Sequence, residues 1–173
     1  MKKELQNNQK VKIKLKLKSK PKTPRSKEYG GTEEDLLVTL AKGGFKPIRY
    51  KYHANENYTE YFINEDCTIL HLLDKKHSAH KNKDYDYMWT IFKYNKDRSK
   101  NNAGYHLVDI GFTALLHRVM ADTFLPEPDD PNKNCIDHID GNKDNNHPSN
   151  LEWVTHQENM RRYFNKKNAK KEV

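Results

Sequence analysis

Cysteine is scarce in this chain: Cys67 and Cys135 are the only two in 173 residues. They form no CxxC pair, so the common structural zinc sites lack their ligands, and they are too few for a disulfide framework. That usage fits a reducing compartment. Long apolar runs are missing as well. No stretch reaches membrane-spanning length, and the N-terminus has no apolar segment of the signal-peptide kind. The expectation is a soluble, cytoplasmic protein. Internal repeats of useful length are also lacking, which excludes solenoids and propellers.

What the chain does have is positive charge in one place. The formal net charge is +8, and residues 1–28 hold eleven Lys and Arg against Glu4 and Glu28, a local +9 that leaves about −1 for everything else. A basic arm on a near-neutral body is the electrostatic footprint of a polyanion-binding protein, most often for nucleic acid. The competing reading is a solvated tail that aids solubility. Within the arm, Lys12, Lys14, Lys16 and Lys18 alternate with Val11, Ile13, Leu15 and Leu17, so an extended segment would place the lysines on one face. Six Phe, ten Tyr and two Trp argue that the remainder is not wholly disordered.

Thr32 to Lys42 predicts a short helix, capped by Thr32, with Glu33, Glu34 and Asp35 in its first turn and Gly43-Gly44 as its stop. Short strands between polar turns are expected over Pro47–His53, Thr59–Ile63, Thr68–Leu73, Tyr87–Tyr94 and Tyr105–Ile110. Phe112 to Leu125 predicts an amphipathic helix, with Leu115, Leu116, Val119, Met120 and Phe124 on one face. Pro126, Pro128 and Pro131 end it.

The segment from Cys135 to Phe164 carries the chemistry. A short apolar strand runs into Asp137-His138, and Asp140-Gly141 supplies a tight turn into a polar loop. Asn150 to Val154 is a second short strand. Thr155-His156-Gln157-Glu158 fits a capping box, which sets a helix start at Thr155 and puts Asn159 one turn in. A carboxylate, an imidazole and a carboxamide can converge in such a strand–loop–strand–helix unit. Oxygen donors of that kind suit Mg²⁺ or Mn²⁺, and His138 beside them could take a proton from an attacking water.

Asp137-His138-Ile139-Asp140-Gly141-Asn142-Lys143-Asp144-Asn145-Asn146, then Ser149 to Thr155, then Glu158-Asn159 resembles the motif of the HNH endonucleases of phages and homing introns. Leu116 to Phe124 resembles the His-Arg-aliphatic helix that precedes the motif in that family. The resemblance covers about residues 105–164. It implies a ββα-metal fold and cleavage of double-stranded DNA with one Mg²⁺ or Mn²⁺ ion per active site. Asp137 and Asn159 would hold the metal, His138 would be the general base, and Asn150 would hold the loop and orient His138. Many relatives continue into a helical DNA-binding module. Here only Asn165 to Val173 follow, so site recognition is expected upstream.

The expected architecture is α+β in four parts. Residues 1–31 form a basic arm and linker, disordered or extended, and 32–104 a short helix with a strand-rich module. Residues 105–166 form the HNH domain and 167–173 a tail. His117 and Arg118 are candidate DNA contacts, since guanidinium pairs well with phosphate, although an Arg118–Asp122 ion pair is the plainer reading. A zinc set of Cys135, His138, His147 and His117 matches no familiar ligand spacing. Two rival functions stay open at this point: a catalytically silent DNA-binding module with this fold, and a nuclease acting on structured RNA.

Overall fold

A computed structural model of the chain describes residues 26–51, 57–73, 86–93 and 100–169. Lys12, Lys14, Lys16 and Lys18 lie outside the described residues. The upstream half is a five-stranded antiparallel sheet in the order β1-β5-β4-β3-β2, built from β1 (Ser26–Gly31), β2 (Lys46–Arg49), β3 (Asn57–Ile63), β4 (Thr68–Leu72) and β5 (Tyr87–Lys93). Helix α1 (Glu33–Gly43) lies between β1 and β2 in the chain. Its ends are the expected ones. Thr32 and Asp35 form a reciprocal capping box, and Gly44 closes the helix in the left-handed region at φ 64°.

Register explains why the sheet has two apolar faces. Ile63 pairs with Ile69 and Ile69 with Phe92, which puts all three on one face; Phe62, Leu70 and Ile91 fall on the other. The second face packs with Leu36 and Leu40 of α1, around the buried Trp89. The first face does not end the module. Ile48, Ile63, Cys67 and Ile69 belong to one core with Val108, Ile110, Leu116, Val119, Met120, Ile136 and Leu151 from the C-terminal half. The sheet is thus a middle layer, with α1 on one side and the C-terminal elements on the other.

Those elements are a hairpin of β6 (Leu107–Asp109) and β7 (Thr113–Leu115), helix α2 (Leu116–Phe124), a hairpin of β8 (Cys135–His138) and β9 (Leu151–Val154), and helix α3 (His156–Ala169). No helix among the described residues is long and apolar enough to cross a membrane.

Three local expectations change. Residues 113–115, read as the first turn of a helix, are strand β7: Val108 pairs with Ala114 and both are buried, so the sheet partner overrides the helical spacing. Asn150, read as the first residue of a strand, closes a 3₁₀ turn over Pro148–Asn150 instead. Gly30-Gly31, inside the stretch expected as arm and linker, ends β1 paired to Met88 and Tyr87. A Cβ on Gly31 would lie 2.7 Å from the Asp35 carboxylate, so a close approach to the α1 cap accounts for that glycine.

Candidate active site

The β8–β9 hairpin is joined by a long loop that folds on its own polar groups. At its start, Gly141 N donates to His138 O at 2.8 Å with Gly141 at φ 73°, a conformation that favours glycine. Asn150, 8 % exposed, ties the two limbs together. Its Oδ1 accepts from Asp140 N at 3.1 Å, and its Nδ2 donates to Asp140 Oδ1 at 2.9 Å and to Asn145 O at 2.8 Å. Hydrogen bonds from Asn145, from the Asn142 backbone and from Asn150 hold the Asp140 carboxyl below its usual range. Replacing Asn150 with Ala removes three part-buried hydrogen bonds that tie the loop together, so unfolding free energy should fall by about 2 kcal/mol. Urea denaturation of the two proteins checks this; a difference of only a few tenths would mean that Asn150 does not hold the loop.

The loop is also clamped from upstream. His106, 1 % exposed, meets Asp144 Oδ1 through Nε2 at 2.8 Å, and Lys100 pairs with the same oxygen. These two partners, Lys100 first, lower the Asp144 pKa. Lys143 Nζ donates to Ala103 O at 2.8 Å and lies 4.0 Å from the Tyr105 ring centroid. None of these pairs is visible in the spacing of the sequence, because the partners are about forty residues apart.

His138 ends β8 inside the molecule, 4 % exposed, with the His117 ring 5.5 Å and the Tyr105 ring 6.2 Å away. Its Nε2 meets Asn146 Oδ1 at 3.2 Å. Burial pushes the His138 pKa down, against the raising effects of Asn146, Asp137 and Asp140, so the ring is a neutral base at pH 7. His117 is pushed further, to about 3, first by burial and then by the neighbouring His138, Arg118 and Lys143. Its Nδ1 is buried with no hydrogen-bond partner. The adjacent α2 residues therefore part company. His117 faces inward against His138, and Arg118 is half-exposed with Nη1 3.5 Å from Asn134 O. Asp122, read as a surface partner for Arg118, is buried and accepts from Lys51 N at 3.2 Å.

Asp137 lies across the hairpin from Glu152. Two cations of α3 meet it: Arg162 Nη1 at 3.4 Å and Lys166 Nζ at 3.5 Å from Oδ2. Arg162 also binds Glu152 Oε2 at 2.7 Å, and Lys166 donates to His138 O at 3.0 Å. The rotation of α3 is set by the expected box: Glu158 N donates to Thr155 Oγ1 at 3.1 Å, and Thr155 N to Glu158 Oε2 at 3.0 Å. Asn159, Arg162 and Lys166 then fall three and four residues apart on one helix face, the face turned to β8. Asn159 is half-buried, and its carboxamide makes no hydrogen bond among the described residues.

The zinc set is not assembled. His147 turns to Ser149 at 2.8 Å and to Glu65 at 3.7 Å. No group of three His, Cys, Asp or Glu side chains able to hold a metal occurs among the described residues. A carboxylate and an unpartnered carboxamide are instead a hard-oxygen pair, which fits an ion that takes its other ligands from water and phosphate.

Residues 114–161 match the family model described as HNH endonuclease, a span that contains α2, both strands of the β8–β9 hairpin and the first part of α3. This segment is similar to the HNH endonucleases. Two relatives come from Acanthamoeba polyphaga mimivirus, and both are described as uncharacterized HNH endonucleases. One is 47 % identical over 45 residues, which is 26 % of this chain and 11 % of the relative. The other is 40 % identical over 62 residues, 33 % of this chain and 18 % of the relative. The chain thus spans less than a fifth of either relative's length. No solved structure matches. Asp137, His138, Asn150 and Asn159 all lie inside the matched HNH segment. Sequence reasoning passed over Arg162 and Lys166, although their three- and four-residue spacing from Asn159 was available as a signal.

Proposed function

We propose that the chain is a metal-dependent endonuclease that hydrolyses phosphodiester bonds of double-stranded DNA, of the homing or phage-associated type. The observation that carries this reading is the pairing at the end of β8. A buried, neutral His138 with one ring nitrogen engaged stands next to Asp137, and Asn159 shares the α3 face whose Arg162 and Lys166 reach Asp137.

Asp137 and Asn159 would hold the Mg²⁺ or Mn²⁺ ion. When bound, it supplies Lewis-acid polarisation of the phosphate and offsets charge on the leaving oxygen. His138 accepts a proton from the attacking water as the new P–O bond forms and the bond to the leaving sugar oxygen breaks. Asn150 keeps the loop in shape through Asp140 and Asn145. Arg162 and Lys166 carry positive charge beside the reacting position and are suited to phosphate oxygens, with Arg118 on the neighbouring helix. Lys12, Lys14, Lys16 and Lys18 add salt-sensitive attraction to the DNA backbone. One such site makes one cut at a time, so a monomer nicks.

The test is a supercoiled plasmid incubated with the protein and Mg²⁺ or Mn²⁺. Nicked circles should form with either ion and none in EDTA. Asp137→Asn keeps an oxygen donor and removes its charge, so half-maximal cutting should need about tenfold more metal. A plasmid left supercoiled by the unaltered protein in both ions, while structured RNA is cut, would replace this reading.

A further inference from the structure

Asn150 accounts for the loop, but no hydrogen bond joins its side chain to the His138 ring. The group that reaches the ring is Asn146, 3 % exposed. Its carboxamide has one consistent orientation. Nδ2 donates to Lys143 O at 3.2 Å, which turns Oδ1 toward His138 Nε2 at 3.2 Å. An amide oxygen can only accept, so Nε2 must carry the hydrogen. The Asn146 backbone is held in turn by the upstream sheet. Cys67, in the turn between β3 and β4, places Sγ 3.9 Å from Asn146 O. Further along, Lys143 and Asp144 are fixed by Ala103, Lys100 and His106.

We propose that Asn146 is the positioning residue for His138: its carboxamide oxygen selects the tautomer with hydrogen on Nε2 and leaves Nδ1 as the basic nitrogen aimed at water. This rests on the reading of His138 as the general base. It gives the upstream sheet a definite part in cleavage. Cys67 in the β3–β4 turn meets the residue that holds the base, and the Lys100–His106 segment that follows the sheet clamps residues 143–144 beside it. In a neutral imidazole only one nitrogen has a free lone pair, so an unconstrained ring divides its time between a productive and an unproductive form. It also loses a fixed direction for the productive one.

The experiment uses the full chain and three proteins: unaltered, Asn146→Leu and Asn146→Asp. Leu keeps roughly the volume and offers no acceptor; Asp keeps the acceptor and loses the donor to Lys143. In plasmid nicking, Asn146→Leu should lower kcat by about a hundredfold with KM changed less than about twofold. Asn146→Asp should recover most of that loss. Nitrogen-15 NMR of the His138 ring at neutral pH in EDTA should show hydrogen on Nε2 in the unaltered protein and in Asn146→Asp. Equal losses in the two variants would mean that Asn146 matters to the loop alone and would overturn the proposal. So would a ring with hydrogen on Nδ1 in the unaltered protein, a readout that stands even if Asn146→Leu does not fold. Failure of the unaltered protein to cut DNA would instead remove the nuclease reading, while the NMR result still decides whether Asn146 sets the ring.

Discussion

Acidification from pH 6.5 to pH 4.5 should destabilise the fold by about 2 kcal/mol through His117 alone, the slope approaching about 1.4 kcal/mol per pH unit once the pH is well below 6.5. Its pKa is about 3 in the folded chain because burial and the adjacent His138 oppose the charged form. Unfolded, it returns to the ordinary value near 6.5. Above that value neither state binds the proton, and the full stability is present. Below it the unfolded state takes up a proton that the folded state refuses, so stability is lost until the pH reaches about 3. His138 and His71 are shifted in the same direction, chiefly by burial, and add to the slope. Asp122 opposes it: burial raises its pKa, so the folded chain gains a proton there on acidification. The carboxyls of Asp140, Asp144 and Glu158 are held low and lose their partners' support only at more acid pH. Urea midpoints measured in EDTA between pH 7 and pH 4.5 should therefore fall. His117→Phe, which keeps a ring against Tyr105 and His138, should flatten the curve by about one proton. A flat curve for the unaltered protein would contradict the burial of these imidazoles.

Replacing His138 with Ala should lower kcat for plasmid nicking by about 10²- to 10⁴-fold, the usual span for a lost general base. DNA affinity in the presence of metal should change little, because the proposed phosphate contacts are Arg118, Arg162 and Lys166. Some stability goes too. Asn146 Oδ1 loses its buried donor and the ring leaves a cavity beside His117 and Tyr105, together about 2 kcal/mol. Circular dichroism and a urea curve separate that loss from the catalytic one. Comparison with Asp137→Asn separates base from metal ligand: added metal should rescue the aspartate variant and leave His138→Ala slow. Rescue of His138→Ala by added metal would move His138 from proton transfer to ion binding.

The parts of this molecule that were readable in advance are those whose causes are local. Thr155 and Glu158 bond to each other three residues apart, so the start of α3, and with it the rotation that presents Asn159, follows from four letters. The Asp140-Gly141 turn and the strand ending at His138 are equally local. Thr113 to Leu115 misled because its apolar spacing suits a helix or a strand, and the deciding partner is another segment, β6. Asn145 and Asn146 are alike in a polar run. Only Cys67, 79 residues upstream, and the ring of His138 make Asn146 the buried one. The clamp by Lys100 and His106 on Asp144 was illegible for the same reason. Resemblance to the HNH family named four candidate residues of the hairpin and α3, and gave little about the sheet beneath them.

The core that joins Ile48, Ile63 and Ile69 to Leu116, Val119 and Met120 sets how far this catalytic unit can travel. A gene segment beginning near Tyr105 would encode every residue assigned to chemistry. It would also carry a bare apolar face where Ile48, Ile63 and Ile69 had been, and a loop without Lys100 and Ala103. Transplanted alone, it would be expected to aggregate or to hold its histidine loosely. The smallest inheritable folding unit is therefore larger than the motif, and recombination that separates the two should leave products that fold poorly.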